Sequence, residues 1–115
     1  KIEVYGADVD KGILFNEERI KTFYVDQTDP SSLIELANNF SVESFDLVID
    51  DGLHTPEANF NTMYALLRLV RLGGHLVIED IDEKYLPEWS IVCRVLRQRS
   101  VFVRCKDKIA CIISS

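Results

Sequence analysis

The sequence lacks the features that would direct the chain to a membrane, a nucleic acid or an oxidising compartment. No apolar run approaches the roughly 18 residues that a membrane span requires, and the first residues do not resemble a signal peptide. The net charge of −6 argues against a nucleic-acid scaffold. Only three cysteines are present, without the spacing of a metal site. We therefore expect reduced thiols in a cytoplasmic protein.

Glycine is also scarce, and no glycine-rich phosphate loop is recognisable. The sequence has five glycines, and neither Gly6 nor Gly12 stands in a strand-Gly-x-Gly-helix unit. A nicotinamide dehydrogenase is therefore disfavoured, because its phosphate-binding fingerprint is missing. Apolar residues, in contrast, are plentiful. They make up 47% of the 115 residues, which is enough for one core and predicts a single domain over 1–115.

Two apolar runs that end abruptly in carboxylates are the most informative part of the sequence. Residues 45–49 and 75–78 have the β-branched, apolar character of buried parallel strands. Ligands bind at the carboxyl edge of such a sheet, where neighbouring strands lie about 4.8 Å apart. One crevice is therefore expected to receive the side chains that follow the two runs: Asp51, His54, Glu79 and Asp80. Three acids and a histidine indicate a divalent-metal site with a base beside it.

Each half of this pattern also has a purely structural interpretation. Asp51 and Gly52 are compatible with a simple strand-to-helix turn, with His54 solvated ahead of the helix cap. Glu79 and Asp80 are compatible with solvated loop acids. Adjacent residues on a regular strand point to opposite faces, so both can bind one ion only if the strand has ended. The two halves in this order together favour the metal site.

Strand and helix patterns alternate along the chain before a closing hairpin. Strands are predicted over 2–8, 21–26, 45–49, 75–78, 100–105 and 109–114. Helices are predicted from 30 with Ser31 or Ser32 as the cap, from 56 to about 71 with an end at Gly73-Gly74, and from 87 to about 99. This order predicts a mostly parallel, doubly wound α/β sheet with one reversed strand.

In this order of elements the chain resembles a class I S-adenosylmethionine-dependent methyltransferase, whose Rossmann-like sheet ends in an antiparallel hairpin. The residues Asp51-Gly52-Leu53-His54, followed by Ile78-Glu79-Asp80, resemble the metal-dependent O-methyltransferases that act on macrolide sugars. That resemblance implies that Asp51, Glu79 and Asp80 hold Mg²⁺ and that His54 is the general base. Leu53 departs from the serine usual at that place, which leaves the four implied site residues intact.

The resemblance also implies where the cofactor S-adenosylmethionine binds. An acid that ends the second strand of this fold usually binds the ribose hydroxyls, and Asp8 has that place. An acid that ends the third strand usually lies near the adenine, which implies Asp26 with Gln27 close by.

One departure from the family is large, because the resemblance begins only at the second strand. The first strand and its glycine-rich loop are absent, and that strand would be central in the sheet, between the strands that end at Asp8 and Ile49. These two strands could pair directly, or another segment or subunit could fill the gap. A fragment or truncated form of a longer protein is the interpretation we favour, with homo-oligomerisation as a further option.

Two functional hypotheses follow from the sequence. The first is a Mg²⁺-assisted O-methyltransferase for a hydroxyl of a sugar or another natural product, with no nucleic-acid or membrane partner. The second is a methyltransferase-like module that no longer catalyses and serves in binding or assembly. The presence of Asp51, His54, Glu79 and Asp80 favours the first hypothesis, whereas the absent glycine loop favours the second.

Overall fold

A computed structural model of the chain describes residues 2–96 and 98–115. Across these residues the chain forms seven strands and three α-helices. In chain order they are β1 (Val4–Asp8), β2 (Asn16–Glu17), β3 (Ile20–Tyr24), α1 (Pro30–Ala37), β4 (Phe45–Asp50), α2 (Pro56–Leu66), β5 (Val70–Ile81), α3 (Leu86–Leu96), β6 (Arg99–Cys105) and β7 (Lys108–Ser114). None of the described helices has both the length and the apolar character that crossing a membrane requires.

The strands form two sheets, one with the order β1-β3-β2 and one with the order β4-β5-β7-β6. The pairs β1–β3 and β4–β5 are parallel, whereas β5–β7 and β6–β7 are antiparallel. The predicted α/β fold with a closing antiparallel hairpin is confirmed. The short strand β2, which pairs antiparallel with β3, was not predicted and makes the first sheet mixed.

The sheet is interrupted between β1 and β4, at the place where the sequence lacks a strand. The two strands belong to different sheets, so the direct pairing that the sequence left open does not occur. They still begin side by side, because the ring of Tyr5 in β1 lies edge-on to that of Phe45 in β4 at a centroid distance of 5.7 Å. An open seam therefore runs from these rings toward the carboxyl ends of both strands.

The predicted boundaries of the first two helices require correction. The side chain that caps α1 is that of Asp29, which accepts from the backbone N–H of Ser31, rather than a serine hydroxyl. Helix α2 ends at Leu66, well before Arg71, and Gly73-Gly74 lies inside β5. A Cβ atom at Gly74 would stand 2.7 Å from the carbonyl oxygen of Asp46. This glycine therefore permits close approach of two strands and does not end a helix.

The end of the third helix was also predicted too late. Helix α3 ends at Leu96, and Arg99 begins β6, so the predicted continuation to Arg99 is wrong. Position 97 lies outside the described residues. Every residue of β6, from Arg99 to Cys105, pairs with β7. Because Arg99 takes part in this pairing, it cannot also belong to α3.

Helices α2 and α3 bury one face of the four-stranded sheet. Trp89 and Cys93 from α3 and Met63 from α2 pack with Ile78 of β5 and Ile113 of β7 in one hydrophobic core. Strands β4, β5 and β7 place directly paired residues on the same face, so Val48 and Cys111 contribute to this side as well.

The opposite face of the same sheet is apolar but exposed. Leu47 and Ile49 of β4 and Val101 and Val103 of β6 are all at least 40% exposed. Central parallel strands that are apolar on both faces are typical of sheets covered on both sides. The second helical layer of a doubly wound fold is therefore not supplied by the described residues.

We expect the same substitution to have different effects on the two faces. Ile78 is 0% exposed and Ile49 is 55% exposed, and they lie on neighbouring paired strands. Ile78→Val should lower the free energy of unfolding by about 0.5–1.5 kcal/mol, whereas Ile49→Val should change it by less than about 0.5 kcal/mol. Urea unfolding of both variants measures the difference. Equal losses would mean that the second face is also covered in solution.

Candidate metal and cofactor site

The site is built at the carboxyl ends of β4 and β5. The parallel register pairs Asp50 with Ile78, so the two strands deliver the residues that follow to the same edge of the sheet. After β4 the chain makes a short loop, residues 51–54, before Thr55 caps α2 by accepting from the N–H of Ala58. This 51–54 loop and the end of β5 supply the titratable side chains of the site.

Three of the predicted side chains meet in one cluster, formed by Asp51, His54 and Asp80. Their ligand atoms all lie within 4.8 Å of one another. Nε2 of His54 lies 3.9 Å from Oδ1 of Asp51 and 3.7 Å from Oδ2 of Asp80. All three residues are exposed, so the carboxylates can rotate toward a ligand at little cost. We call this group the Asp51–His54–Asp80 cluster.

An irregularity in β5 brings Asp80 into the cluster. The pairing of β5 with β7 shifts between Ile78 and Ile81, and Asp80 has a φ of 55°, a conformation uncommon for a residue other than glycine. Bulges of this kind redirect side chains next to functional sites. Glu79, also predicted as a ligand, lies beside Asp80 but outside the three-residue cluster, and its role as a ligand stays a prediction.

The predicted cofactor residues line a second region, the cavity in the seam between β1 and β4. This cavity measures about 620 Å³. Asp8, Asp26, Gln27 and Asp51 all contribute to its lining, with Leu33 among its apolar residues. The two strand-end acids and the glutamine that the sequence assigned to the nucleotide therefore share one space, and Asp51 connects that space to the Asp51–His54–Asp80 cluster.

Local hydrogen bonds preorganise the two acids. The carboxylate of Asp8 accepts from the N–H of Asp10 at 2.8 Å. The carboxylate of Asp26 accepts from the hydroxyl of Thr28 at 2.6 Å and from its N–H at 2.9 Å. These two bonds, the hydroxyl first, hold the pKa of Asp26 below its usual value. Asp26 therefore keeps its charge to a lower pH than an isolated aspartate would.

Gln27 is engaged in hydrogen bonds at both ends of its amide. Its Nε2 donates to Oδ1 of Asp50 and to Oγ1 of Thr62, both at 2.8 Å. Its Oε1 accepts from the N–H of Leu53 at 2.7 Å. Its predicted contact with the nucleotide stays a prediction, and in this structure the side chain binds the 51–54 loop.

The sequence reasoning missed the polar residues of α2 that complete this network. Asn59 donates to Oδ2 of Asp50 at 3.0 Å and to the carbonyl oxygen of Leu53 at 3.2 Å, and Thr62 accepts from Gln27. Both residues are buried. The available signal was their spacing, because residues three apart share a helix face, and this face also carries buried Ala58 and Met63.

A smaller cavity of about 460 Å³ opens on the other side of the Asp51–His54–Asp80 cluster. His54 and Asp80 border it together with Lys84, Tyr85 and Lys108. Nζ of Lys84 lies 5.0 Å from the ring centroid of Tyr85. Tyr85 borders this cavity, whereas Trp89, three residues after the start of α3, is buried in the core against Phe60.

Comparison with known proteins shows that the chain is similar in sequence to sugar O-methyltransferases. No protein-family model matches the chain. Demethylmacrocin O-methyltransferase of Streptomyces fradiae is 43% identical over 84 residues, which are 73% of this chain and 21% of that protein. A tetracenomycin-C rhamnosyl 2'-O-methyltransferase of Streptomyces olivaceus is 36% identical over 87 residues, 76% of this chain and 22% of that protein. The chain thus spans about a fifth of the length of the curated relatives it matches.

Solved structures of methyltransferases share the fold of this chain. MycE methyltransferase from the mycinamycin biosynthetic pathway, in complex with Mg and SAH, superimposes with a TM-score of 0.71 at 26% identity. The match covers 97% of this chain and 36% of that chain. An rRNA methylase from Streptococcus thermophilus, at 14% identity and a TM-score of 0.61, shares the fold alone. The resemblance to sugar O-methyltransferases, predicted from the sequence, is confirmed.

The hydrogen bonds of Asp26 make its ionisation testable. Thr28→Val removes the hydroxyl donor and keeps the backbone donor, so the pKa of Asp26 should rise toward its usual value. A carbon-detected NMR titration of the carboxyl group, in the wild type and in the variant, measures this change. Because the folded-state pKa is lowered, the stabilisation is present above the unfolded pKa of 3.8. It is lost as the pH falls through the folded value. An unchanged pKa would contradict the assigned cause.

Proposed function

We propose that the chain carries the metal and part of the cofactor site of an S-adenosylmethionine-dependent O-methyltransferase. The acceptor is a hydroxyl of a sugar or of a sugar-bearing natural product. The observation that carries the proposal is the position of the Asp51–His54–Asp80 cluster, between the seam cavity and the cavity that contains Tyr85. Three relatives, which are O-methyltransferases of demethylmacrocin, of a rhamnosyl tetracenomycin-C and of mycinamicin VI, support it.

The donor set fits Mg²⁺. Magnesium prefers oxygen ligands and commonly takes only one or two carboxylates from the protein, keeping several waters. Asp51 and Asp80 offer two exposed carboxylates at one point of the sheet edge, and Glu79 is adjacent in the sequence. When bound there, the ion supplies Lewis-acid stabilisation to the oxygen of a substrate hydroxyl as its proton leaves.

His54 is the proposed general base. A sugar hydroxyl is a poor nucleophile at neutral pH, and imidazole has an unperturbed pKa near 6.5. Nε2 of His54 lies next to both carboxylates of the cluster, and its ring also borders the smaller cavity. A hydroxyl group placed in that cavity would therefore lie beside the nitrogen that takes its proton.

The cofactor is assigned to the seam cavity. Asp8, at the end of β1, is the proposed acceptor for the ribose hydroxyls. Asp26, just after β3, is proposed to lie near the adenine. Both donors on Nε2 of Gln27 are already used. Its Oε1 accepts one bond and keeps a second lone pair, through which it can accept from an amino group of the nucleotide.

The acceptor is assigned to the cavity between His54 and Tyr85. An aromatic ring beside a charged edge suits the apolar face and hydroxyl edge of a sugar, because the ring gives contact area and the lysine ammonium groups donate hydrogen bonds. Lys84 and Lys108 line the cavity and offer those donors, and Nζ of Lys108 lies 3.6 Å from Oδ2 of Asp82, which also borders it. With the cofactor on one side of the cluster and the acceptor on the other, the protein's contribution is to orient the transfer.

A second candidate function is a non-catalytic, methyltransferase-like module. The open seam between β1 and β4 favours it. Calorimetric titration of the chain with S-adenosylhomocysteine and with Mg²⁺ separates the two candidates. Heat for both supports the enzyme, and silence for both contradicts it.

Charge-neutral variants should locate the metal site. Asp51→Asn and Asp80→Asn remove an anionic oxygen ligand, so each should weaken Mg²⁺ binding at least tenfold. Glu79→Gln tests the third predicted ligand. Glu35→Gln is the matched control, because it removes the same charge from an exposed position on α1. Titration calorimetry gives the affinities. Equal affinities in all four variants would indicate diffuse screening by surface acids and not a site.

A variant of His54 should separate proton transfer from metal binding. His54→Ala is expected to keep a Mg²⁺ affinity close to that of the wild type, because magnesium prefers oxygen to imidazole. The rate of methyl transfer should fall roughly 100- to 10,000-fold. The assay follows radiolabelled methyl groups from S-adenosylmethionine to a rhamnoside acceptor. A lost Mg²⁺ affinity would make His54 a ligand, and an unchanged rate would remove it from the chemistry.

A further inference from the structure

The buried polar side chains of the described residues all belong to one network. They are Asp50, Asn59 and Thr62, each at most 5% exposed. Asp50 accepts from Gln27 at 2.8 Å, from the N–H of Gly52 at 3.2 Å and from Asn59 at 3.0 Å. No buried side-chain polar atom among the described residues lacks a partner. Burying a carboxylate costs free energy even when neutral donors satisfy it. A fully satisfied buried network also makes the backbone around it rigid.

In this structure the network fixes Leu53, one of the two residues between Asp51 and His54 in the 51–54 loop. Its N–H donates to Oε1 of Gln27 at 2.7 Å, and its carbonyl oxygen accepts from Asn59 at 3.2 Å. Both backbone polar groups of Leu53 are therefore bound by side chains from other elements, although its own side chain is exposed. Its immediate neighbours in the loop are Gly52 and His54, and Asp51 precedes them.

The loop and Gln27 also fit each other sterically. A Cβ atom at Gly52 would stand 2.0 Å from Oε1 of Gln27 and 2.9 Å from its Cδ. Oε1 cannot move away without losing its bond to Leu53, and Nε2 is bound to Asp50 and Thr62. The backbone of Gln27 is fixed too, because its carbonyl oxygen accepts from Asn61 at 2.9 Å.

We propose that Gln27 is a positioning residue, which holds the 51–54 loop so that Asp51 and His54 face Asp80. This inference rests on the proposed function of the Asp51–His54–Asp80 cluster. Gln27 follows β3, a strand of the three-stranded sheet. Its hydrogen bond with Leu53 therefore also joins the cofactor side of the seam to the side of the proposed metal site. Gly52 is required in this arrangement because only a residue without a Cβ leaves room for the amide.

Four variants test the proposal. Gln27→Ala removes the amide, and Gly52→Ala should displace it by steric conflict. The double variant combines both changes. Gln98→Ala, at an exposed position, is the control for loss of a glutamine. Gly6→Ala is the control for an added methyl group, because its Cβ would meet Thr22 at an ordinary 3.4 Å.

Two readouts are followed, the hydrogen exchange of the Leu53 amide and the affinity for Mg²⁺. We expect Gln27→Ala and Gly52→Ala each to speed exchange at Leu53 and to weaken Mg²⁺ binding roughly 10- to 100-fold, the range for residues that orient ligands. The double variant should be no worse than Gln27→Ala alone, since the conflict has been removed. The two controls should match the wild type in both readouts.

Other results would overturn the proposal. Exchange at Leu53 that is unchanged in Gln27→Ala would mean that the amide does not hold the loop. Exchange that rises equally at Leu53 and at Val77, in the middle of β5, would reduce Gln27 to a general stabilising role. A wild-type chain that binds no Mg²⁺ would overturn the proposed function alone, because exchange at Leu53 would still decide whether Gln27 holds the loop.

Discussion

The parallel pairing of β4 with β5 is the constraint on which the rest of the structure depends. Its register sets Asp50, the last residue of β4, beside Ile78 of β5, so the 51–54 loop begins about one strand spacing from the last residues of β5. This register and the irregularity between Ile78 and Ile81 together make the 51–54 loop and Asp80 neighbours. A shift of one residue would turn the buried face of β4 outward and would separate Asp51 from Asp80.

The seam between β1 and β4 lacks strand pairing and also contains the proposed cofactor cavity. Two strands that would normally have paired neighbours on both sides stand apart, and the cavity between them holds the acids assigned to the cofactor. Across this opening the two sheets are joined by α1 packing on α2 around Leu33 and Ala65, and by the bond from Gln27 to Asp50. A buried polar network thus does part of what strand pairing would otherwise do.

The sequence predicted the elements and the site edge because apolar runs that end in acids have one common placement in an α/β sheet. The prediction from sequence was wrong where one local pattern is compatible with two different structures. Gly73-Gly74 resembles a helix end but permits strand contact with Asp46. The network around Asp50 was not predicted, because the hydrogen-bond partners of a polar residue on a helix, such as Asn59, lie on other elements and cannot be identified from the local sequence. The conformation of Asp80 likewise depends on a bulge opposite β7.

The central claim is that Asp51, His54 and Asp80 form one divalent-cation site. Titration of the isotope-labelled chain with Mn²⁺, followed by NMR, tests it directly, because paramagnetic broadening falls steeply with distance from the ion. We predict that amide signals of residues 51–54 and 79–81 disappear first, at substoichiometric Mn²⁺, and that excess Mg²⁺ restores them. Broadening that begins instead at the exposed acids Glu17 and Glu18, or that spreads evenly over the chain, would contradict the account.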